Sequence, residues 1–182
     1  MHWRLKAYLA FLYICFFASR VLSHEISIDG KLDDEAWTSA DEYTKYYESL
    51  PFTLNEPKDF QKVLILEDEK GIYLGFINKQ DKETIRANRH ERDDEMANAD
   101  KAGLAIDFDG DGLAAYAFTV SAGGSIADGI YRNENEVNYD WDADWKSGVF
   151  IDQDYWYAEM FIPWSIAPVS YTHLTLPTTG VV

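Results

Sequence analysis

The chain has very little cysteine: Cys15 is the single one among its 182 residues. Cys15 lies in the apolar run from Ala7 to Ala18, which follows the basic residues Arg4 and Lys6 as in a secretory signal peptide. We therefore expect a signal peptide over residues 1–23, with an uncleaved anchor as the alternative. The mature chain then lacks cysteine, which excludes a disulfide-stapled scaffold. Export to a bacterial periplasm, the outer membrane or the cell surface is expected.

Basic residues are also scarce, because 16 Lys and Arg stand against 32 Asp and Glu, for a formal net charge of −16. A chain this acidic repels the phosphates of nucleic acids and anionic lipid headgroups. Nucleic acid is therefore excluded as an expected partner, and neutral ligands or cations are favoured. The apolar run near the start is too short for a comfortable span, so no membrane span is expected in the mature segment.

Motifs for catalysis are missing as well. His90-Glu91 does not continue into a zinc-binding His-Glu-x-x-His pattern, because Asp94 stands where the second histidine belongs. The stretch Gly123-Gly124-Ser125 lacks the closing glycine of a nucleophile elbow. Carboxylate pairs suited to a glycosidase are unavoidable among so many acids and indicate nothing specific. No catalytic residue is assigned to this segment.

What the chain does contain is a clear pattern of strands. In the stretch from Lys101 to Ala122, apolar residues alternate with small or polar ones on both sides of an acidic, glycine-containing turn, which predicts an antiparallel hairpin. A second hairpin is predicted from Val63–Leu66 and Ile72–Phe76. Further strands are expected at Glu42–Leu54 (a weak candidate), Ser125–Tyr131, Trp145–Ile151 and Tyr155–Ile162, with a polar loop over Asn133–Asp144.

Short strands at this spacing, with hardly any helix, predict an all-β fold: an antiparallel β-sandwich, jelly-roll-like, with one or two short helical turns. We expect roughly eight to ten strands in a single domain over residues 24–168.

Three fragments of the chain resemble a known family. They are IDGKLDDEAW near the start, DFDGDGLAAYAFTVSAGGSIADG in the middle and DWDADWKSGVFIDQDYWYAEMFIPWS at the end. Their order and spacing resemble the family 9 carbohydrate-binding module and its relatives in exported bacterial proteins. The matching positions are Ile28-Asp29-Gly30 with Trp37, Arg92-Asp93, and Trp156 with Glu159 and Ile162-Pro163.

This resemblance implies a β-sandwich that binds mono- or oligosaccharides without cutting them and often carries calcium. Relatives with such a module usually continue into a further region, either a glycoside hydrolase or an outer-membrane domain. The alternatives are therefore a structural or assembly domain without sugar binding, and a module appended to a glycoside hydrolase.

One loop combines aromatic rings with acids and is the candidate ligand site. Rings offer flat apolar area to the CH groups of a sugar, and carboxylates accept hydrogen bonds from its hydroxyls. The alternative is that the rings fold inward and plug the end of the sandwich. The predicted ligand-binding residues are Tyr139, Trp141, Asp142, Asp144 and Trp145, with Arg92 added from the Arg-Asp pair.

The turn of the Lys101–Ala122 hairpin is a candidate calcium site. Asp107, Asp109 and Asp111 place oxygen ligands at alternating positions, as in the first half of a calcium loop. The twelfth position is Phe118 instead of glutamate, so an EF-hand is excluded. A solvated acidic turn is the alternative.

No haem or nucleotide cofactor is expected. A haem-binding sandwich would need axial ligands such as His90 with Met96 or Met160, and a histidine in a charged loop is more often simply solvated.

The last stretch, residues 169–182, has no Lys, Arg, Asp or Glu and reads as a translated sequencing adaptor. An authentic apolar strand is the alternative. The adaptor interpretation implies that a C-terminal region of the same chain is missing.

Overall fold

The computed structural model describes residues 26–49, 51–94, 97–133 and 136–168. Strands account for most of the regular structure, and the helical segments among these residues are three short 3-10 turns, Glu35–Ser39, Lys82–Thr84 and Trp164–Ile166. The strands are β1 (Asp41–Tyr43), β2 (Gln61–Glu67), β3 (Gly71–Lys79), β4 (Lys101–Ile106), β5 (Ala115–Ser121), β6 (Ile126–Asn133), β7 (Glu136–Asn138), β8 (Lys146–Ile151) and β9 (Tyr155–Pro163).

The strands form two antiparallel sheets, which confirms the predicted all-β antiparallel fold. Sheet A has the order β1-β2-β3-β9-β8, and sheet B has the order β4-β5-β6-β7. Both predicted hairpins are present: β2 pairs with β3, placing Val63 opposite Phe76, and β4 pairs with β5, placing Leu104 opposite Phe118. The last strand, β9, lies between β3 and β8 in sheet A.

The core lies between the two sheets and is built by alternation along each strand. On β9, Trp156, Ala158, Met160 and Ile162 point inward and are at most 3% exposed. They pack with inward side chains of β3, β4 and β5, because these form one continuous apolar cluster: Leu74, Phe76, Ala102, Phe118 and Val120. Burial of these side chains is the main stabilising contribution of the sandwich.

Two predicted segments differ from the structure. The strand candidate Glu42–Leu54 was wrong beyond its start, because the strand there is Asp41–Tyr43. Glu48 and Asn55 are joined by a backbone hydrogen bond of 2.9 Å that folds the chain back on itself, so the aromatic residues of the segment form a loop. Conversely, the loop predicted over Asn133–Asp144 contains β7, which extends the edge of sheet B.

The outer face of sheet A is covered by the segment over residues 26–40, which we call the N-terminal clasp. Glu159 on β9 is fully buried beneath it, at 0% exposure. Its Oε2 accepts hydrogen bonds from the backbone N–H of Asp29 (2.9 Å) and Gly30 (2.8 Å), and its Oε1 accepts one from Trp37 Nε1 (3.0 Å). Burial raises the pKa of Glu159 in spite of these donors.

Glycines make room for the clasp on both sides of Glu159. In sheet A, Gly75 of β3 and Gly148 of β8 are the residues paired with Glu159. A Cβ at Gly75 would lie 2.5 Å from the Leu32 side chain, and one at Gly148 would lie 2.5 Å from the nitrogen of Gly30. Gly30 itself has a φ of +90°, a conformation that favours glycine. Three parts of the family resemblance, the Ile28-Asp29-Gly30 segment, Trp37 and Glu159, therefore meet in one structural contact, whereas Trp156 faces the core between the sheets.

The predicted signal peptide over residues 1–23 and the adaptor-like stretch over residues 169–182 lie outside the described residues. In the part of the chain that the structure describes, no helix has the length and apolar character needed to cross a membrane.

Candidate functional site

A cavity of about 350 Å³ opens between the two sheets, at the edge where β1, β2 and β3 face β4. Its floor is apolar and comes from inward side chains such as Val63, Leu74 and Phe76. Its rim carries two tyrosines, Tyr43 at the end of β1 and Tyr46 in the loop that follows. Ligand pockets in proteins are commonly about 300–1,000 Å³ in volume, so this cavity is large enough to hold a small molecule.

Polar groups are few in this cavity and lie on opposite sides. Gln61 and Asn78 provide amides from β2 and β3, and Lys101 lies across from them on β4. The Asn78 side chain is 9% exposed and its nitrogen donates one long hydrogen bond, 3.5 Å, to the carbonyl oxygen of Trp156. Burial raises the pKa of Tyr46, which is consistent with a phenol partly removed from water.

The polar side chains that line the cavity are two phenols, two amides and one lysine. None of the described residues that line it is a carboxylate or a histidine, whereas glycoside hydrolysis commonly needs a pair of carboxyl groups flanking the scissile bond. Amides and a phenol can instead donate and accept hydrogen bonds with neutral hydroxyls.

The structure gives Arg92, a predicted ligand-binding residue, several protein partners. Its Nη2 donates to Oδ1 of the fully buried Asp128 and, at 3.1 Å, to the carbonyl oxygen of Ala143. Its Nε lies 2.9 Å from Asp142 Oδ1 and 3.5 Å from Asp93 Oδ2. Arg92 therefore ties the predicted ligand loop, through Asp142 and Ala143, to the middle of β6.

Asp128 is the centre of this arrangement, which we call the arginine staple. Its second oxygen, Oδ2, accepts a 2.6 Å hydrogen bond from the Ala143 N–H, and its own N–H donates to Asp93 Oδ1 at 2.9 Å. Asp93 holds a φ of +60°, unusual for a residue other than glycine. Burial raises the pKa of Asp93, as do the neighbouring charges of Asp128 and Asp142.

The two tryptophans of the predicted ligand loop differ in their surroundings. Trp145 is 6% exposed and packs edge-on against Phe118 with ring centroids 5.6 Å apart. This ring therefore folds inward, as in the alternative to a ligand-binding role. Trp141 is half-buried and packs edge-on against Tyr116 at 5.0 Å and against Phe118 at 5.9 Å. Of the remaining predicted residues, Tyr139 is half-buried, whereas Asp142 and Asp144 are exposed.

Among the described residues, the carboxylates close enough to share a cation are those of Asp93, Asp128 and Asp142, whose oxygens lie within 4.8 Å of one another. The Arg92 guanidinium already contacts all three. Its single positive charge offsets one of the three negative charges.

The predicted calcium ligands Asp107, Asp109 and Asp111 lie in the exposed turn between β4 and β5. Asp107 caps this turn, since its carboxylate accepts backbone hydrogen bonds from Gly112 (2.7 Å), Gly110 (2.8 Å) and Asp109 (3.2 Å). These donors, Gly112 first, lower the pKa of Asp107. Asp107 therefore has a structural role, because it holds the turn together. Calcium binding by the three aspartates stays a prediction.

Calcium binding predicts a higher Tm in millimolar calcium than in chelator, because an ion that binds the folded state alone stabilises it by mass action. D109A should remove this rise. D142A is the matched control at the other acidic group and should leave it intact. Equal Tm values for the wild type in chelator and in calcium would contradict the prediction, and loss of the rise in D142A alone would move the ion to the arginine staple.

Of the haem ligands considered, Met160 is fully buried in the core, His90 is half-buried and Met96 lies outside the described residues. His90 Nε2 is a buried atom with no hydrogen-bond partner among the described residues. A cavity of about 10 Å³, the size of one water molecule, lies beside His90.

Comparison with known proteins identifies the fold. No family model and no curated protein matches the sequence. The structure is similar to the crystal structure of a "putative carbohydrate-binding protein" from Bacteroides uniformis ATCC 8492, with a TM-score of 0.53 and 13% sequence identity. The alignment covers 69% of this chain and 60% of that chain. At this identity the likeness shows a shared fold, and membership of family 9 stays a prediction.

Neither the cavity nor the buried partner of Arg92 is predicted from the sequence. Tyr43, Gln61 and Asn78 come from three strands and Tyr46 from a loop, so no local motif contains them. An available signal was the density of aromatic residues between positions 43 and 60. For Asp128, the signal was an acid flanked by small and apolar residues in the first part of a predicted strand.

Proposed function

We propose that this chain is a non-catalytic carbohydrate-binding module of an exported protein, and that its sugar site is the cavity between β1–β3 and β4. The observation that carries the proposal is the composition of that cavity: an apolar floor, two tyrosines at the rim and amides on the walls. A pyranose ring likewise has apolar and polar parts, with CH groups on its faces and hydroxyls around its edge. The likeness to a protein described as carbohydrate-binding supports the same class.

In this proposal each group of the cavity has a chemical role. The rings of Tyr43 and Tyr46 pack against the CH face of the sugar, where aromatic area contributes affinity without charge. Gln61 offers an acceptor and two donors to neighbouring hydroxyls, and Asn78 offers an acceptor and the N–H that does not donate to Trp156, which together set the orientation of the ring. The lack of a lining carboxylate among the described residues favours binding without cleavage.

The location is part of the same proposal. It is supported by the signal-like residues 1–23 and by the lack of cysteine after Cys15. Fractionation of cells that express the full chain decides between export and retention.

Titration calorimetry with neutral mono- and disaccharides, such as glucose, galactose, mannose, xylose, cellobiose and maltose, tests the proposal. We expect at least one to bind, and Y46A to weaken that binding by at least about tenfold, equivalent to about 1.4 kcal/mol. Q61A is expected to weaken it as well, because a hydrogen-bonding side chain at the rim is lost.

Two controls locate the site. F150A removes a ring that is 39% exposed on β8, away from the cavity, and should leave affinity unchanged. D144A removes an exposed acid from the predicted ligand loop. A loss of affinity in D144A with none in Y46A would place the sugar at the Tyr139–Trp145 loop and overturn the cavity assignment. Failure of every sugar would favour a structural or assembly role.

A further inference from the structure

The connection from β1 to β2, residues 44–60, is rich in exposed aromatic side chains, and we call it the aromatic loop. Eight large hydrophobic side chains are exposed among the described residues, and five of them lie in this loop or next to it. These five are Tyr43 (55% exposed), Tyr47 (62%), Phe52 (78%), Leu54 (57%) and Phe60 (46%). Exposed apolar side chains concentrated in one loop favour a binding surface, whereas single exposed rings are ordinary.

Both ends of the aromatic loop meet the rim of the cavity. Tyr43 and Tyr46 line the cavity at the start of the loop, and Phe60 directly precedes Gln61, which lines it at the end. Phe60 is held there because its carbonyl oxygen accepts a 2.8 Å hydrogen bond from the Lys79 N–H of β3. The exposed aromatic residues of the loop are therefore next to cavity-lining residues along the chain.

The middle of the aromatic loop is closed on itself. The Glu48 N–H donates to the Asn55 carbonyl oxygen at 2.9 Å, and the Leu54 N–H donates to that of Glu48 at 3.2 Å. The Thr53 hydroxyl donates to Glu48 Oε2 at 2.6 Å. These bonds set the turn on which Phe52 is presented, so binding there requires less ordering than binding to an open chain.

Charge argues for a neutral ligand at this surface. The aromatic loop carries two lysines and three acidic residues, close to balance, in a chain with 16 basic and 32 acidic residues. A phosphorylated or nucleic-acid ligand would find no basic cluster here. Rings without strong charge fit the CH faces of neutral sugars.

We infer that the aromatic loop extends the sugar site, so that the ligand is a neutral oligosaccharide chain with one unit in the cavity and further units along Tyr47 and Phe52. This inference rests on the proposed function and deepens it. It predicts that affinity grows with chain length, because each additional sugar unit gains aromatic contact.

The test uses calorimetry on the full chain with oligosaccharide ladders of one to six units, from neutral glucans and xylans. We expect the wild-type affinity to rise at least about tenfold from the single unit to the longest. In Y47A/F52A this rise should disappear, while affinity for the single unit stays within about twofold. Y46A should weaken binding at every length. L113A, which removes a 75% exposed side chain elsewhere, is the matched control and should keep the rise.

The outcomes separate the two proposals. Binding of single units with no gain from length, or a gain that persists in Y47A/F52A, overturns the extended site and leaves the proposed function standing. Failure of every sugar overturns both. Size-exclusion chromatography adds a further outcome: a dimeric wild type with a monomeric Y47A/F52A would assign the aromatic loop to a second copy of the chain and overturn the inference.

Discussion

Replacing Glu159 with alanine is expected to lower the free energy of unfolding by about 3 kcal/mol or more, because buried donors lose their acceptor. The donors are the backbone N–H groups of Asp29 and Gly30 and the Trp37 Nε1–H. Once the carboxylate is gone, the N-terminal clasp loses these three hydrogen bonds to sheet A. Urea unfolding followed by tryptophan fluorescence measures the loss. E67A, at an exposed glutamate on β2, is the control and should change stability by less than about 0.5 kcal/mol.

The E159Q variant isolates hydrogen bonding from side-chain volume. One of its two terminal atoms becomes an NH₂ donor, which then faces another donor, either the clasp backbone or the Trp37 indole. Most of the stability lost in E159A should therefore also be lost in E159Q. W37F removes the indole donor, and E159Q/W37F should therefore show a favourable coupling energy in a double-mutant cycle. If E159Q is as stable as the wild type, the hydrogen bonds of Glu159 do not hold the clasp.

The second large loss of stability is expected at the arginine staple. Two aspartates there bind the same arginine but differ in their exposure to water. Asp128 is 0% exposed and Asp142 is 70% exposed. D128A should cost about 2–3 kcal/mol, because the Ala143 N–H loses its buried acceptor and Arg92 loses its buried partner, although Asp93 and Asp142 remain beside it. D142A should cost at most about 1 kcal/mol, since an exposed ion pair is screened by water.

The two variants are compared by thermal and urea unfolding at the same pH and salt. D128N is the conservative companion, and it should also be destabilised, because both oxygens of Asp128 face donors and an amide supplies one oxygen. Salt should reduce the small effect of D142A more than the large effect of D128A. Equal losses in D128A and D142A would contradict the assignment of Asp128 as the buried centre of the staple.

Much of the fold could be predicted from the sequence, because half-buried strands carry their own period-two signal. The β2–β3 and β4–β5 hairpins were readable from alternation around short turns. The position of β9 between β3 and β8 was not readable, since sheet order depends on which distant strands pair. The Glu42–Leu54 segment was misassigned because its aromatic residues resemble a strand, whereas Pro51 and Pro57 provide no N–H for a ladder.

The candidate site was harder to predict than the fold. The sequence places rings and acids together at Tyr139–Trp145, but burial separates them: Trp145 belongs to the core, while Asp142 and Asp144 are exposed. Arg92 appears free in sequence because its main partner, Asp128, is 36 positions away. The cavity depends on sheet-to-sheet spacing, which local patterns do not encode.

The contact between the N-terminal clasp and β9 has a consequence for how the chain folds. Asp29 and Glu159 are 130 positions apart, and β9 is an inner strand of sheet A. Sheet A therefore cannot be completed until nearly the whole of residues 26–163 has been synthesised. Domains dominated by such distant pairings have high contact order and fold slowly. The N-terminal clasp can therefore find its acceptor on Glu159 only after β9 has joined sheet A, whereas sheet B, whose four strands are consecutive in sequence, can form without β9.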